Sequence, residues 1–580
     1  MQMKEKILEY LEKSIESLQK EGRFSADFDL AKIKIEYPDY DRGDYATGLA
    51  LQAAKIIKKS PMEAASILKE EIEKQQPKEF EKIEIASPGF INFFVSEKFL
   101  LKEMEKILEE GKGYGRGKKN GKTVLIDYSS VNIAKPFGIG HLRSTIIGQA
   151  IYNLYEFLGW KAIGDNHLGD WGTQYGKLSY QIFEKKLKDL PLKDYSKELA
   201  GLTIAELEKI YVDFHQEAEN NPEMIESARE WFKKLEQGDK AAKTIWNACV
   251  KISMEEFAKI YDLLGIKIDN AIGESFYLDK TESVIKEAKE KGFAKQSQGA
   301  LIFEYPKDDL PPAMLLKSDE ASTYFARDLA ALKYRIDKWK PELFVYEVGV
   351  EQNLHIRQVF LAAELLGWAE EDRLIHVAHG LYRASEGKFS TRKGQTIHLE
   401  EVLEEAIMRA GKLIEASEQS KILPEEKEEI SKIIGIGAIK YNDLSQHYSK
   451  GIIFDWDRML NLKGNSAPYL QYTAVRCQSL INKAKTLQRP GLCKLSLEER
   501  AVLGALFKFS EIVAEAAKTF SPNLLCSFAY ELAQKYNLFY EKCPILKSKE
   551  KDFRLSLTEA VVQILGISLS LLGIKIPKKM

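Results

Sequence analysis

Charged and apolar residues share a helical period at the start of the chain (MQMKEKILEYLEK), which predicts an amphipathic, mixed-charge helix. A short extended segment, AKIKIEYP, ends at Pro38. A Gly/Asp turn in DRGDYATGLALQAAKIIKK then runs into a second amphipathic helix, and Pro61 opens a third. Around Pro88-Gly89, in IEIASPGFINFFV, apolar and polar residues partly alternate and predict a strand pair. Residues 1–110 therefore read as a small α+β domain, followed by a basic, glycine-rich linker, GKGYGRGKKNGK.

Beyond the linker the pattern changes. Thr123–Tyr128 (TVLIDY) has the continuous apolar character of a buried strand. The helix after it carries Leu142, Ile146, Ile147, Ala150, Ile151 and Leu154 at helical spacing. Further strands are predicted at Lys161–Asn166, Glu342–Val350 and Arg373–Ala378. Strands alternating with helices across 111–425 predict a Rossmann-like, doubly wound parallel sheet. Its middle, about 180–310, is mostly charged helix and reads as an insertion between two halves of the sheet. From 426 to 580 helical periodicity dominates, with a capping box at Ser496 and Glu499 and a helix start at Ser521-Pro522. An all-α bundle is predicted there, which makes the chain a multidomain α/β protein.

Length supports that division, since 580 residues exceed one compact core. With 44% hydrophobic and 30% charged residues the composition is that of a soluble globular protein. No apolar run is read as bilayer-spanning, and the first helix is not a signal peptide, so a cytoplasmic location is expected. The five cysteines lie far apart without a C-x-x-C pair, against a structural zinc site or disulfides. A net charge of −2 gives no bulk attraction for nucleic acid, so an RNA site must rest on local patches.

Two stretches carry chemistry. Ser129–Ser144, SSVNIAKPFGIGHLRS, lies between strand and helix, where free backbone N–H groups and the helix dipole favour an anion. Gly138 and Gly140 let phosphate approach the backbone, and His141 can donate to a phosphoryl oxygen. Gly387–Gly394, GKFSTRKG, is a basic loop with three cations and two hydroxyls, suited to charge developing on a leaving pyrophosphate. Taken singly, the turn is as readily purely structural, and the basic loop reads more readily as a solvated surface loop.

Together they resemble two signatures of the class I aminoacyl-tRNA synthetases, in the form found in arginyl-tRNA synthetases. The segments between and beyond them match that family in order: DNHLGDWGTQYG (Asp165–Gly176), SDEASTYFARDLA (Ser318–Ala330), VYEVGVEQNLHIRQ (Val345–Gln358), and Ile439–Arg476. The N-terminal GDYATGLALQAAK and SPGFINF resemble the extra domain that precedes the family's catalytic domain, and the chain ends in LLGIKIPKKM. The resemblance covers nearly the whole chain.

It implies activation of L-arginine by ATP, as the Mg²⁺ complex, and transfer to the 3′-terminal adenosine of tRNA(Arg). Members generally need bound tRNA before they activate arginine. No tightly bound cofactor or protein metal site is implied, nor a DNA or membrane partner, and a monomer is expected. The implied arginine-binding residues are Tyr324 and Asp328, with Gln352 and Glu274, while Asn132, Ser130 and Asp127 hold the α-amino and carboxylate groups. A guanidinium is planar and always charged, so carboxylates and fixed acceptors suit it, and a four-residue spacing puts Tyr324 and Asp328 on one helix face. Gly138, Gly140, His141, Lys388 and Ser390 are implied for ATP, with His141, Lys388 and Lys135 acting on the phosphates. Tyr469 and Tyr472, then Tyr536 and Tyr540, are candidates to stack on anticodon bases, and Met580 matches a position near the anticodon.

Two positions depart from the family. Gly138 replaces the first signature histidine, a missing contact of about 1–3 kcal/mol. Thr391 replaces the second loop lysine, where Lys135 stands as the compensating cation and Lys393 can assist. A tRNA-binding paralogue without activity, or a class I synthetase for another amino acid, remain alternatives at this stage.

Overall fold

A computed structural model describes residues 3–24, 33–38, 42–306, 310–383, 398–416, 422–484 and 494–580. The chain forms two compact units: Met1–Arg116 with Tyr469–Thr519 and Leu524–Leu569, and Gly117–Pro468 with Phe520–Asn523 and Ser570–Met580.

The N-terminal elements are α1 (Met3–Lys20), β1 (Tyr45–Thr47), α2 (Leu49–Ile57), α3 (Pro61–Lys74), β2 (Phe80–Ala86), β3 (Phe90–Val95) and α4 (Glu97–Glu110). The strands form an antiparallel sheet in the order β1-β3-β2. Pro61 stands in the first turn of α3, behind a reciprocal capping box between Ser60 and Glu63. The expected extended segment ending at Pro38 makes one bridge, Glu36 to Ala46, rather than a strand.

In the second unit β4 (Thr123–Asp127), α5 (Ile139–Phe157) and β5 (Lys161–Leu168) follow as predicted. Next come α6 (Thr173–Ile182), α7 (Tyr195–Leu199), α8 (Ile204–Asn220), α9 (Glu223–Glu236) and α10 (Lys240–Leu264). The predicted helical insertion ends sooner than expected. β6 (Asn270–Gly273) pairs with β5 as a member of the main sheet, and α11 (Thr281–Glu290) leads into a small antiparallel sheet of β7 (Ala294–Ser297), β8 (Ala300–Phe303) and β9 (Ala313–Leu316). Four-residue strands are too short to show a period. The chain continues through α12 (Tyr324–Trp339), β10 (Leu343–Gly349), α13 (Asn353–Leu365), β11 (Leu374–His379), β12 (Tyr382–Arg383), α14 (Leu399–Ala416), α15 (Pro424–Leu444), β13 (Ile452–Ile453) and α16 (Trp456–Met459).

The main sheet is parallel, in the order β11-β10-β4-β5-β6. From β4 the chain winds one way to β5 and β6, then returns to β10 on the other side. The winding reverses between β4 and β10, and the crevice at the carboxyl ends of strands beside such a reversal is where ligands bind. Leu125, Phe344 and Tyr346 from the strands pack with Leu329 and Leu332 of α12 and Val359 and Ala362 of α13. On the other face α5 lies so close that a Cβ at Gly148 would overlap Tyr128.

The remaining helices are α17 (Ala467–Ala484), α18 (Leu497–Phe507), α19 (Phe509–Lys518), α20 (Pro522–Lys542) and α21 (Lys551–Leu571). The predicted box at Ser496 and Glu499 starts α18. Contrary to the sequence reading, α21 is long and apolar enough to cross a membrane by length and composition, but 67% of that stretch is buried within the protein, as in a core helix. Residues 426–468 belong to the unit of the parallel sheet, and the first 116 residues share a unit with α18 to α21.

Candidate active site

The β4–α5 connection is a strained loop, with Ser129, Ser130 and Ala134 at φ of 76°, 47° and 61°. Neighbouring elements fix it. The Ser129 amide donates to Ser144 Oγ (2.9 Å), whose hydroxyl donates to the Glu347 carbonyl (2.8 Å). The Ser130 amide donates to Asn166 Oδ1 (3.0 Å), and the Ala134 amide to Ser253 Oγ of α10 (2.8 Å). Tyr261 of α10 bonds both Ser129 Oγ (2.8 Å) and Asn166 (2.9 Å), so the inserted helices buttress the loop. Half-buried Asn132 bridges to Gly169, where any Cβ would overlap its Oδ1.

Gly138 caps α5 without a side-chain bond and pairs by backbone with His398. Gly140 is exposed, with nothing within 4 Å of the place a Cβ would take. His141 follows in the first turn, its Nδ1 buried without a hydrogen-bond partner. Burial holds this imidazole below its ordinary pKa, so it is neutral at pH 7 and donates from one nitrogen only. Exposed Lys135 lies 5.8 Å over the Tyr211 ring of α8. Lys388, Ser390 and the rest of Gly387–Gly394 lie outside the described residues.

Tyr324 and Asp328 begin α12, capped by Thr323, and point into the crevice from one face. Asp328 meets two imidazoles: His355 Nε2 at 2.6 Å and His167 Nε2 at 3.2 Å. Burial raises its carboxyl, but the two imidazoles outweigh that and hold it well below the usual carboxylate range. The Tyr324 ring stacks on His355 (centroids 4.2 Å apart, 28°), and its hydroxyl reaches Gln352 Oε1 at 3.4 Å. Glu274, in the turn after β6, accepts from Arg327 Nε at 3.0 Å, and burial raises its carboxyl against that cation. Asp127 is closed from solvent and paired with Arg335 Nη1 (2.8 Å), whose Nη2 holds Asp165 (2.7 Å).

Asp127, Ser130, Asn132, Glu274, Tyr324, Asp328 and Gln352 thus converge at one end of the sheet. Sequence reasoning missed His167 and His355, and that Arg327 and Arg335 meet Glu274, Asp127 and Asp165. The first two stand inside the segments quoted above, and His355 follows Gln352 by three residues, a spacing that shares a helix face. It also missed a buried polar cluster: Glu347 bonds His379 Nδ1 (2.9 Å), and Arg143 of α5 reaches Asp443 (3.2 Å) and the Gly380 carbonyl (2.7 Å).

The family model described as tRNA synthetases class I (R), catalytic domain, matches residues 103–456. An arginyl tRNA synthetase N terminal domain matches 2–95 and a DALR anticodon binding domain 470–580. The chain belongs to the arginyl-tRNA synthetase family. The arginine–tRNA ligase of Halothermothrix orenii is 40% identical over 552 residues, covering 94% of both chains. That of Clostridioides difficile is 39% identical, over 95% of this chain and 97% of the other. The arginyl-tRNA synthetase structure from Plasmodium falciparum superposes with a TM-score of 0.82 at 25% identity, covering 99% of each chain. The one from Thermus thermophilus shares the fold, with a TM-score of 0.80 at 24% identity over 98% of this chain and 99% of its own.

In this synthetase the tyrosines expected to meet tRNA divide. Tyr472 and Tyr540 are 38% and 37% exposed, and the Arg476 guanidinium lies between them, 4.8 and 4.9 Å from their ring centroids. Half-buried Tyr469 accepts from Asn537 through its hydroxyl (2.9 Å). Tyr536 is fully buried against α21, its hydroxyl 3.4 Å from Thr558 Oγ1, so it packs the bundle and has no face for a base. Half-buried Met580 belongs to the unit of the parallel sheet.

Proposed function

We propose that this chain forms arginyl-adenylate from ATP and arginine in the crevice at the carboxyl ends of β4, β5, β6 and β10, then passes the arginyl group to tRNA(Arg). As a member of the arginyl-tRNA synthetase family it is a ligase that charges tRNA with arginine. The observation that carries the reading of the site is the Tyr324–Asp328 face of α12, set beside Gln352 and Glu274 from other elements. Asp328 supplies the charge for a guanidinium, Tyr324 its flat face, and Gln352 an acceptor. Asn132 and Ser130, at the strained loop, hold the α-amino and carboxylate groups.

The arginine carboxylate attacks the α-phosphorus of Mg²⁺-ATP in line and pyrophosphate leaves, with no covalent bond to the enzyme. The chain acts by position and charge. The N-terminal end of α5, with Gly140 and neutral His141, receives the phosphates, while Lys135 and, from the loop outside the described residues, Lys388 and Ser390 cover the pyrophosphate. The tRNA 3′-adenosine hydroxyl then attacks the adenylate carbonyl, releasing AMP. Tyr472 and Tyr540 offer faces to unpaired bases. As proposed, the enzyme acts as a monomer in the cytoplasm.

Pyrophosphate exchange into ATP tests the reading. Exchange is expected only with both arginine and tRNA, and Asp328→Asn is expected to raise the arginine KM at least a hundredfold, the loss of a charge-assisted pair worth about 3 kcal/mol. An unchanged KM in that variant rules out Asp328 as the guanidinium site.

A further inference from the structure

Within this crevice five carboxylates (Asp127, Asp165, Asp170, Glu274 and Asp328) stand against two guanidinium groups, Arg327 and Arg335. Arg335 is held between Asp127 and Asp165, and Arg327 by Glu274. Asp170 accepts from the Ser275 amide (2.9 Å) and hydroxyl (2.6 Å). Asp328 is left with the two imidazoles, one from β5 and one from α13. Buried anions in excess of cations draw in protons where a titratable group can take them.

We propose that His167 is a positioning residue that neutralises Asp328 as an imidazolium while the pocket lacks arginine, and that arginine enters by replacing that charge, releasing a proton to solvent. The proposal rests on the reading of Asp328 as the guanidinium site. The step is a simple exchange: the imidazolium N–H bond breaks, the electron pair stays on nitrogen, and the proton leaves to water. The guanidinium brings the positive charge that was lost.

Several contacts support this. His355 Nε2 meets one Asp328 oxygen at 2.6 Å, and His167 faces the other. His167 lies 3.2 Å from Asp328 without hydrogen-bond geometry, and both its ring nitrogens are buried without a hydrogen-bond partner. Its charge, more than a directed bond, is what Asp328 receives. The other groups facing the pair are Tyr277, whose ring is 5.7 Å from His167, and Tyr346, which accepts from Arg335 through its hydroxyl (2.8 Å). Burial opposes a charged His167, yet Asp328 carries it above the ordinary histidine value, with Arg335 opposing and Asp127 assisting. A guanidinium arriving at Asp328 removes that support and adds a like charge, so the shift reverses on binding and a proton comes off. The sign follows: arginine binds more weakly as pH falls through the histidine range.

Calorimetry of arginine binding to the full chain, with and without tRNA, in buffers of differing ionisation enthalpy, tests this. The wild type is expected to release a proton, approaching one per arginine near pH 6, and its apparent Kd to rise up to about tenfold per pH unit lost. In His167→Gln the release is expected to vanish and the pH slope to flatten. No net release by the wild type between pH 5.5 and 7.5 overturns the proposal without any variant, as does release that persists undiminished in His167→Gln. Asp328→Asn separates the two readings. If it loses arginine while the wild type releases no proton, only the exchange fails. If it binds arginine as the wild type does, or if the wild type binds none, the pocket assignment fails with it.

Discussion

Arg335 is the largest commitment of charge to the interior near the site: 1% exposed, it meets Asp127 and Asp165 at 2.8 and 2.7 Å and donates to Tyr346. Replacing it with Met leaves two buried carboxylates without their cation, which costs about 3–5 kcal/mol. Burial already raises the Asp127 carboxyl, and without Arg335 it rises further. A folded-state pKa above the unfolded value stabilises at low pH and is lost as pH rises, so the deficit of Arg335→Met is expected to shrink between pH 7 and pH 5. Urea unfolding at both values measures it, and an equal deficit at each denies the pairing. These residues also mark what a sequence discloses at this scale. Tyr324 and Asp328 were named by resemblance to the family, and their common face was legible because a four-residue spacing is local geometry. Asp127 was assigned to the substrate because nothing along the chain announces that a guanidinium from α12 occupies it. Tyr536 and Tyr540 share a spacing too, but depth depends on what lies opposite, and α21 covers the first alone.

The helix that presents His141 owes its position to a glycine. At Gly148 α5 rests on Tyr128, and a Cβ there would come closer to that side chain than real contacts allow. Gly148→Ala removes a helix-weakening glycine yet forces α5 off the sheet, and overpacking of this kind costs about 1–3 kcal/mol. The same displacement moves the turn from Gly138 to His141, so the KM for ATP in pyrophosphate exchange is expected to rise along with the fall in thermal stability. A variant as stable as the wild type, with unchanged KM, would falsify the close seat. Element by element, four of the five parallel strands were predicted, Thr123–Tyr128 among them from a continuous apolar run, the mark of a strand covered on both faces. β6 was not. Its Asn-Ala-Ile-Gly is half exposed and only four residues long, so it carries no period and was absorbed into the charged helices around it. Those helices matter more than an insertion suggests, because α10 holds the strained loop at Ala134 and Ser129.

Sequence texture changes along the chain, whereas compact units close in space, and here the two differ. Composition divided the protein near residues 110 and 426, but Met1–Arg116 and the helices from Tyr469 onward form one unit. The ties are polar and buried. Arg500 of α18 grips Asp44 (2.8 and 3.3 Å) and the Val95 carbonyl (3.0 Å), and Asp44 accepts from the Val95 amide (2.7 Å). Glu511 of α19 accepts from the Lys4 amide (2.8 Å) and the hydroxyls of Tyr37 (2.8 Å) and Tyr45 (3.0 Å). Partners several hundred residues apart leave no local pattern, and Asp44 reads as one more turn residue in GDYATG. If the ties make one cooperative body, weakening one must loosen both stretches of chain together. Arg500→Met leaves Asp44 buried without its cation, a cost of about 3 kcal/mol or roughly a hundredfold in opening. Hydrogen exchange is expected to accelerate in β3 and α18 to a similar degree, with β4, β5 and β10 unaffected. Acceleration confined to α18 would mean that the first 116 residues hold their structure independently, and that the unit is two bodies in contact.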